Sequence, residues 1–275
     1  MNAILLHFFP IICYASLSAY FFLQARNPST LQITKRTTDL LTTIILSSAL
    51  LVHGLTLLQA LFPADGMRFS LGLAISLTVW LSVCFYWIQS CFYPLKGLQI
   101  FVMPIATILT LSPIIFPETH TLQSTDTLIF KAHFLVAMSA YSLFSLAVLH
   151  GVIMSITEKQ LHTSKPNSKL LAPPPLMTME KLLFRLIYLA FILLTLTVIS
   201  GIFFSEMLFS KPFKLEHKTL FALISWSIFA TLVLGRLLKG WRGKTAIRWI
   251  LAGFIALMLA YFGSHFVLEI ILDRA

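Results

Sequence analysis

The chain carries about eight apolar runs, each close to the roughly 20 residues that an α-helix needs to cross about 30 Å of hydrocarbon. They lie at approximately 3–24, 40–62, 70–92, 98–116, 128–156, 182–209, 219–238 and 246–272. No water reaches backbone N–H and C=O groups inside a bilayer, so continuous runs of this length predict helices, which satisfy their own backbone. The fold class that follows is all-α: a polytopic membrane helical bundle. Composition agrees, with 58% hydrophobic and 11% charged residues, where soluble domains are about one quarter charged. The stretches between the runs are too short to bury a soluble core, so residues 1–275 read as a single integral membrane domain.

Lysine and arginine set the expected orientation. Six of the twenty, Arg68, Lys131, Lys211, Lys214, Lys218 and Arg274, fall on one side of the predicted membrane, and the other fourteen follow spans one, three, five and seven. By the positive-inside rule the basic loops face the cytoplasm and both termini face outward. The net charge of +10 then reflects topology and contact with anionic membrane lipids. The cations are divided among loops with no soluble module to present them, which argues against a nucleic-acid partner.

Met1 to Gln24 has no lysine or arginine before its apolar run and no small-residue cleavage site, so the first span reads as retained. Cys13, Cys84 and Cys91 lie in or beside spans without a CxxC or CxxCH pattern. That spacing argues against a thiol-disulfide carrier and against haem bound covalently to this chain. Residues 157–181 contain Lys165, Pro166, Asn167 and Pro173 to Pro175, which predicts an extended cytoplasmic linker, either a tether or a docking surface. Pro104 and Pro113 in the fourth span each remove a backbone donor and predict a kink or broken turn. No internal repeat argues for an inverted-repeat transporter.

Five of the eight histidines, His7, His53, His133, His150 and His265, lie inside apolar runs. An imidazole in hydrocarbon needs a partner, which makes each a functional candidate. A hydrogen bond to a neighbouring helix carbonyl is the plain alternative for every one. By depth, His7, His133, His217 and His265 cluster near the outer face, and His53 sits near mid-membrane. His150 is toward the cytoplasmic end of span five, while His120 and His162 are in loops. Histidines at similar depth on different helices suit axial ligation of haem, a metal site or a proton relay. A protein-built metal site would bring carboxylates or cysteines, and proton-coupled transport an Asp or Glu at mid-membrane. The span interiors have no mid-membrane acid, and Glu206, Glu216 and Glu269 lie only near the outer cluster. Haem fits better: an apolar macrocycle between helices, propionates near Lys131 or Lys218, and neutral imidazoles on iron.

Several segments resemble one family. They are Leu215 to Trp226, Gly235 with Arg236, Gly240 to Lys244, Ala252 to Phe254, Tyr261 to Gly263, Lys131 to Tyr141 around His133, and Val52 to Gly54 around His53. Together they resemble the cytochrome c assembly protein family, which includes CcsA/ResC, HemX and YpjD types, and most closely its short HemX/YpjD branch. For the CcsA type the resemblance implies a bacterial inner-membrane protein that receives haem in the membrane and delivers it outside to apocytochrome c. Two membrane histidines and two outer histidines hold the haem, beside a tryptophan-rich WWD segment. His53 matches the first membrane histidine and His133 the first outer one, as haem-iron ligands. The second membrane histidine falls at about Gly235, which cannot ligate iron. The second outer histidine has no counterpart, although His265 lies close enough in the same span to substitute; His53, His217 and His265 are the candidate partners of His133. The segment 209–216 contains no tryptophan, so the WWD motif is absent.

The expected function is therefore that of an integral membrane protein of cytochrome c biogenesis that binds or passes haem, as haem b, near the outer face, without independent lyase activity. The alternative is a HemX-like scaffold or regulator acting on a biogenesis or tetrapyrrole-synthesis partner, and a small-molecule transporter is the third reading.

Overall fold

The computed structural model describes residues 2–26, 35–63, 66–93, 97–117, 120–122, 127–162, 175–209 and 217–260. The elements are, in order, α1 (Asn2–Arg26), α2 (Lys35–Leu61), β1 (Met67–Phe69), α3 (Leu71–Phe92), α4 (Gln99–Leu109), α5 (Ser112–Ile115), β2 (His120–Leu122), α6 (Leu128–His162), α7 (Leu176–Phe209), α8 (His217–Lys239) and α9 (Gly243–Met258). Among the described residues six helices, α1, α2, α3, α6, α7 and α8, are long and apolar enough to cross a membrane. The protein is a polytopic helical membrane protein, as the apolar runs predict.

Several helices extend beyond the apolar runs. α2 begins at Lys35, α6 continues to His162 and α7 begins at Leu176, so both flanks of the expected linker are helical; residues 163–174 lie outside the described residues. The fourth run divides into α4 and α5, with Thr110 and Leu111 between them. Pro104 stays inside α4, whereas Pro113 opens α5 and has no N–H to offer the carbonyl four residues back, which ends α4 just before it. The eighth run is described only as far as residue 260.

The chain resolves into two compact units, one of 1–123 with 157–176 and the other of 124–156 with 177–275. In the first unit α1 packs against α2 and α4, and α3 against α5. Ser70 caps α3 by accepting the Leu73 N–H at 3.0 Å. The Ser112 hydroxyl donates to the Gly72 carbonyl at 2.8 Å, and a Cβ on Gly72 would lie 2.6 Å from the Ser112 carbonyl oxygen, so only glycine admits this approach. The Trp80 indole donates to the Leu50 carbonyl at 2.7 Å and lies across Gly54, whose Cβ would fall 2.7 Å from the ring. β1 and β2 pair antiparallel with Met67 opposite Leu122 and Phe69 opposite His120, a ribbon too short to leave a periodic signal in the sequence.

The second unit is layered on two aromatic rings. Phe144 of α6 and Phe229 of α8, both fully buried, stack with centroids 3.8 Å apart and planes 16° apart. The far face of Phe229 meets Gly253 of α9, where a Cβ would lie 2.7 Å from the ring. Ser225 donates to the Gly253 carbonyl at 2.9 Å and Tyr141 to the Leu257 carbonyl at 3.0 Å, so α9 is held from both neighbours. Gly253→Val is expected to destabilise the protein by about 1–3 kcal/mol through overpacking, read as a lower unfolding temperature in detergent. Phe229→Leu in the same chain should recover part of that loss, because the two sites share one contact.

Candidate functional site

His133 lies on α6, half-buried, about one and a half turns after the helix starts. Its Nδ1 is 2.7 Å from the Ser200 hydroxyl of α7. Ser200 has one proton, and its Oγ is also 2.7 Å from the Leu196 carbonyl and 3.1 Å from that of Thr197. A carbonyl only accepts, so the serine proton goes to the backbone and the Nδ1–H of His133 donates to Ser200. The neutral ring then carries its lone pair on Nε2. A hydrogen bond that fixes one ring nitrogen also sets which nitrogen is the basic one. Gly201 follows Ser200, and a Cβ there would lie 3.6 Å from His133 Cε1, in ordinary van der Waals contact with the ring.

His53 is in the other unit and has different surroundings. It is 2% exposed, with Nε2 2.9 Å from the Ser76 hydroxyl of α3 and Nδ1 3.3 Å from the hydroxyl of Tyr14 on α1. Tyr14 is fully buried and meets the imidazole edge-on at 5.9 Å between centroids. Both nitrogens are thus engaged by hydroxyls inside the first unit, and ligation by His53 requires exchange of one of these bonds.

His150 stands seventeen residues beyond His133 on α6, about 25 Å along the helix axis, so the two cannot share an iron. Its Nε2 donates to the Met179 carbonyl at 3.0 Å, and its buried Nδ1 has no partner among the described residues. His217 is the first residue of α8, and its side chain, like that of His7, lies outside the described residues, as does all of His265. Of the four candidate ligands, only His53 and His133 have described side chains, one in each unit. Among the described residues no three His, Cys, Asp or Glu converge as metal ligands.

At Gly235 the departure from the resembling family has a steric counterpart. The Trp241 ring folds onto its α-carbon, and a Cβ there would lie 2.3 Å from Trp241 Cε3. A histidine at this position requires displacement of Trp241. Sequence reasoning did not find Ser200, Ser76 or Tyr14. The available signal was Ser200 beside Gly201 in an otherwise apolar run, which marks small residues where another helix approaches.

The family described as Cytochrome C assembly protein matches residues 41–272. The chain belongs to the cytochrome c assembly protein family. It is 30% identical over 141 residues to the inner membrane protein YpjD of Escherichia coli strain K12, covering 50% of this chain and 52% of YpjD. It is 29% identical over 92 residues to the cytochrome c biogenesis protein CcsA of Gloeobacter violaceus, covering 34% of this chain and 27% of CcsA. With CcsA of Cyanophora paradoxa it shares 34% identity over 87 residues, 32% of this chain and 27% of that protein. The chain thus spans about half the length of the curated YpjD relatives and about a quarter of these CcsA proteins. Within this cytochrome c assembly family member, the Ser200 bond makes a direct prediction. In histidine-labelled protein, 15N NMR should report His133 as the Nδ1–H tautomer, and Ser200→Ala should give a mixture of tautomers while Ser200→Thr keeps the single form.

Proposed function

We propose that this protein resides in the bacterial inner membrane, takes part in cytochrome c biogenesis, and binds or passes haem near the outer face of the bilayer through His133. The observation that carries the reading is the His133–Ser200 pair at 2.7 Å, which fixes an imidazole inside an apolar run of a family member whose match spans residues 41–272. Haem would supply an iron centre that neutral imidazoles can ligate. His133 would supply one imidazole, its ring and protonation fixed by Ser200. His53, His217 and His265 are the candidates for a second ligand, and Lys131 and Lys218 for the propionates. Without CxxCH in the chain, the haem is held as non-covalent haem b. Segment 209–216 lacks the tryptophans of a WWD platform, so the protein acts without lyase activity of its own.

A scaffold or regulator of a biogenesis or tetrapyrrole-synthesis partner is the second reading. It is favoured by His53, whose two nitrogens are satisfied internally, and by Trp241, which fills the space beside Gly235. An absorption spectrum and pyridine haemochrome assay on detergent-purified protein separates the two. Haem binding predicts a Soret band with bis-imidazole features, lost in His133→Ala, and an affinity about tenfold lower in Ser200→Ala. A purified protein that neither carries nor takes up haem, or one whose haem is unchanged in His133→Ala, removes His133 from the site.

We further infer that both termini face outward and that residues 163–174 face the cytoplasm, from the lysine and arginine distribution. In a background with Cys13, Cys84 and Cys91 replaced, Ser164→Cys should react with an impermeant maleimide only after permeabilisation, and Ser210→Cys should react in intact cells. The reverse pattern would invert the topology.

A further inference from the structure

α8 ends at Lys239 and α9 begins at Gly243, and the turn between them is specified residue by residue. Gly240 and Gly243 take φ values of +65° and +52°, in the left-handed region where a side chain is disfavoured. The Gly240 N–H returns to the Arg236 carbonyl at 3.2 Å, the bond of a left-handed helix cap. The Trp241 N–H reaches the Gly235 carbonyl at 3.2 Å, and Arg236 Nη1 donates to the Trp241 carbonyl at 3.0 Å. The indole of Trp241 lies over Gly235 and stacks on that of Trp249, with centroids 5.4 Å and planes 24° apart. The turn is therefore preformed.

Its charge is one-sided. Lys239, Arg242, Lys244 and Arg248 are exposed, and no Asp or Glu occurs between Glu216 and Glu269. One acid, Glu180 of α7, reaches the turn. Arg236 binds it at 2.7 Å with both side chains mostly buried, at 17% and 13% exposure, while the same arginine lies over the Phe184 ring at 4.3 Å. Arg242 Nε shares Glu180 at 3.3 Å from a side chain still 60% exposed. Lys239, Lys244 and Arg248 have no acidic partner among the described residues.

α8 has membrane length from Lys218 to Lys239, so the chain leaves hydrocarbon at this turn. Stacked indoles belong at that level, where their apolar faces meet glycerol and acyl carbons and their N–H groups meet water. We propose that the α8–α9 turn binds the phosphodiester headgroup of an anionic phospholipid, with Lys239, Lys244 and Arg248 on the headgroup and the Trp241–Trp249 pair against its apolar base. Selectivity comes from the one-sided charge. Glu180 is only 13% exposed and its Oε1 is held by Arg236 and Arg242, so the exposed charged side chains of the turn are all cations and match the negative phosphate, not the ammonium of a zwitterionic headgroup. The site stands independently of haem binding.

Native mass spectrometry of the full-length chain, offered equal phosphatidylglycerol and phosphatidylcholine, tests this. Bound phosphatidylglycerol should predominate, and each of Lys239→Gln, Lys244→Gln and Arg248→Gln should lower the preference by about fivefold. Lys239→Arg with Lys244→Arg should retain it. In the unmodified protein, raising ammonium acetate from about 50 mM to about 500 mM should weaken the preference, because exposed charges are screened; this arm does not depend on how any variant folds. Equal binding of the two lipids by the unmodified protein, or an undiminished preference in the triple glutamine variant, would overturn the proposal. Displacement of the lipid by millimolar inorganic phosphate would also overturn it, assigning the turn to free anions.

Discussion

A polar group inside a bilayer has only the protein to bond with, and unpaired it costs several kilocalories per mole. That scarcity of partners organises both units. Serine and threonine hydroxyls along the spans turn back to carbonyls three or four residues earlier, as Thr78, Ser142 and Thr195 do. The groups that cannot be satisfied locally reach across instead. The Trp80 indole takes the Leu50 carbonyl, the Trp226 indole takes Thr195 at 3.0 Å, His53 is placed between Tyr14 and Ser76, and His133 takes Ser200. Apolar packing alone lets helices slide past one another, whereas each of these bonds fixes one register within its unit.

Aromatic rings laid on glycines do the complementary work. Trp80 on Gly54, Phe229 on Gly253 and Trp241 on Gly235 place a flat ring where any Cβ would intrude. In hydrocarbon, where apolar burial gives helices no advantage over contact with lipid, close packing of this kind is the main attraction left. It also fixes function locally. The position that would carry a second membrane histidine in the resembling family is here the floor under an indole.

The helices were legible because run length and the bilayer thickness leave few other choices. Their ends were not, since hydropathy marks where hydrocarbon stops and not where a helix stops. Glu158, Lys159 and Gln160 are good helix formers that continue α6 into water, and Lys35 and Arg36 start α2 there. The break before Pro113 was readable from the proline, but that Pro104 stays within α4 depends on packing. His133 and His53 were readable as imidazoles in apolar runs. Their partners were not, because which serine meets which histidine is decided by tertiary register between positions as distant as 133 and 200.

The ribbon of β1 and β2 has a topological effect out of proportion to its six residues. By pairing Met67 with Leu122 it joins the two ends of the segment that contains α3, α4 and α5, turning that stretch into a closed loop. Closing a loop of this length costs entropy once, and the cost grows only slowly with added residues. Within the first unit α3, α4 and α5 therefore form a tethered cassette whose entry and exit points stay side by side, while α3 and α4 also pack against α2 and α1.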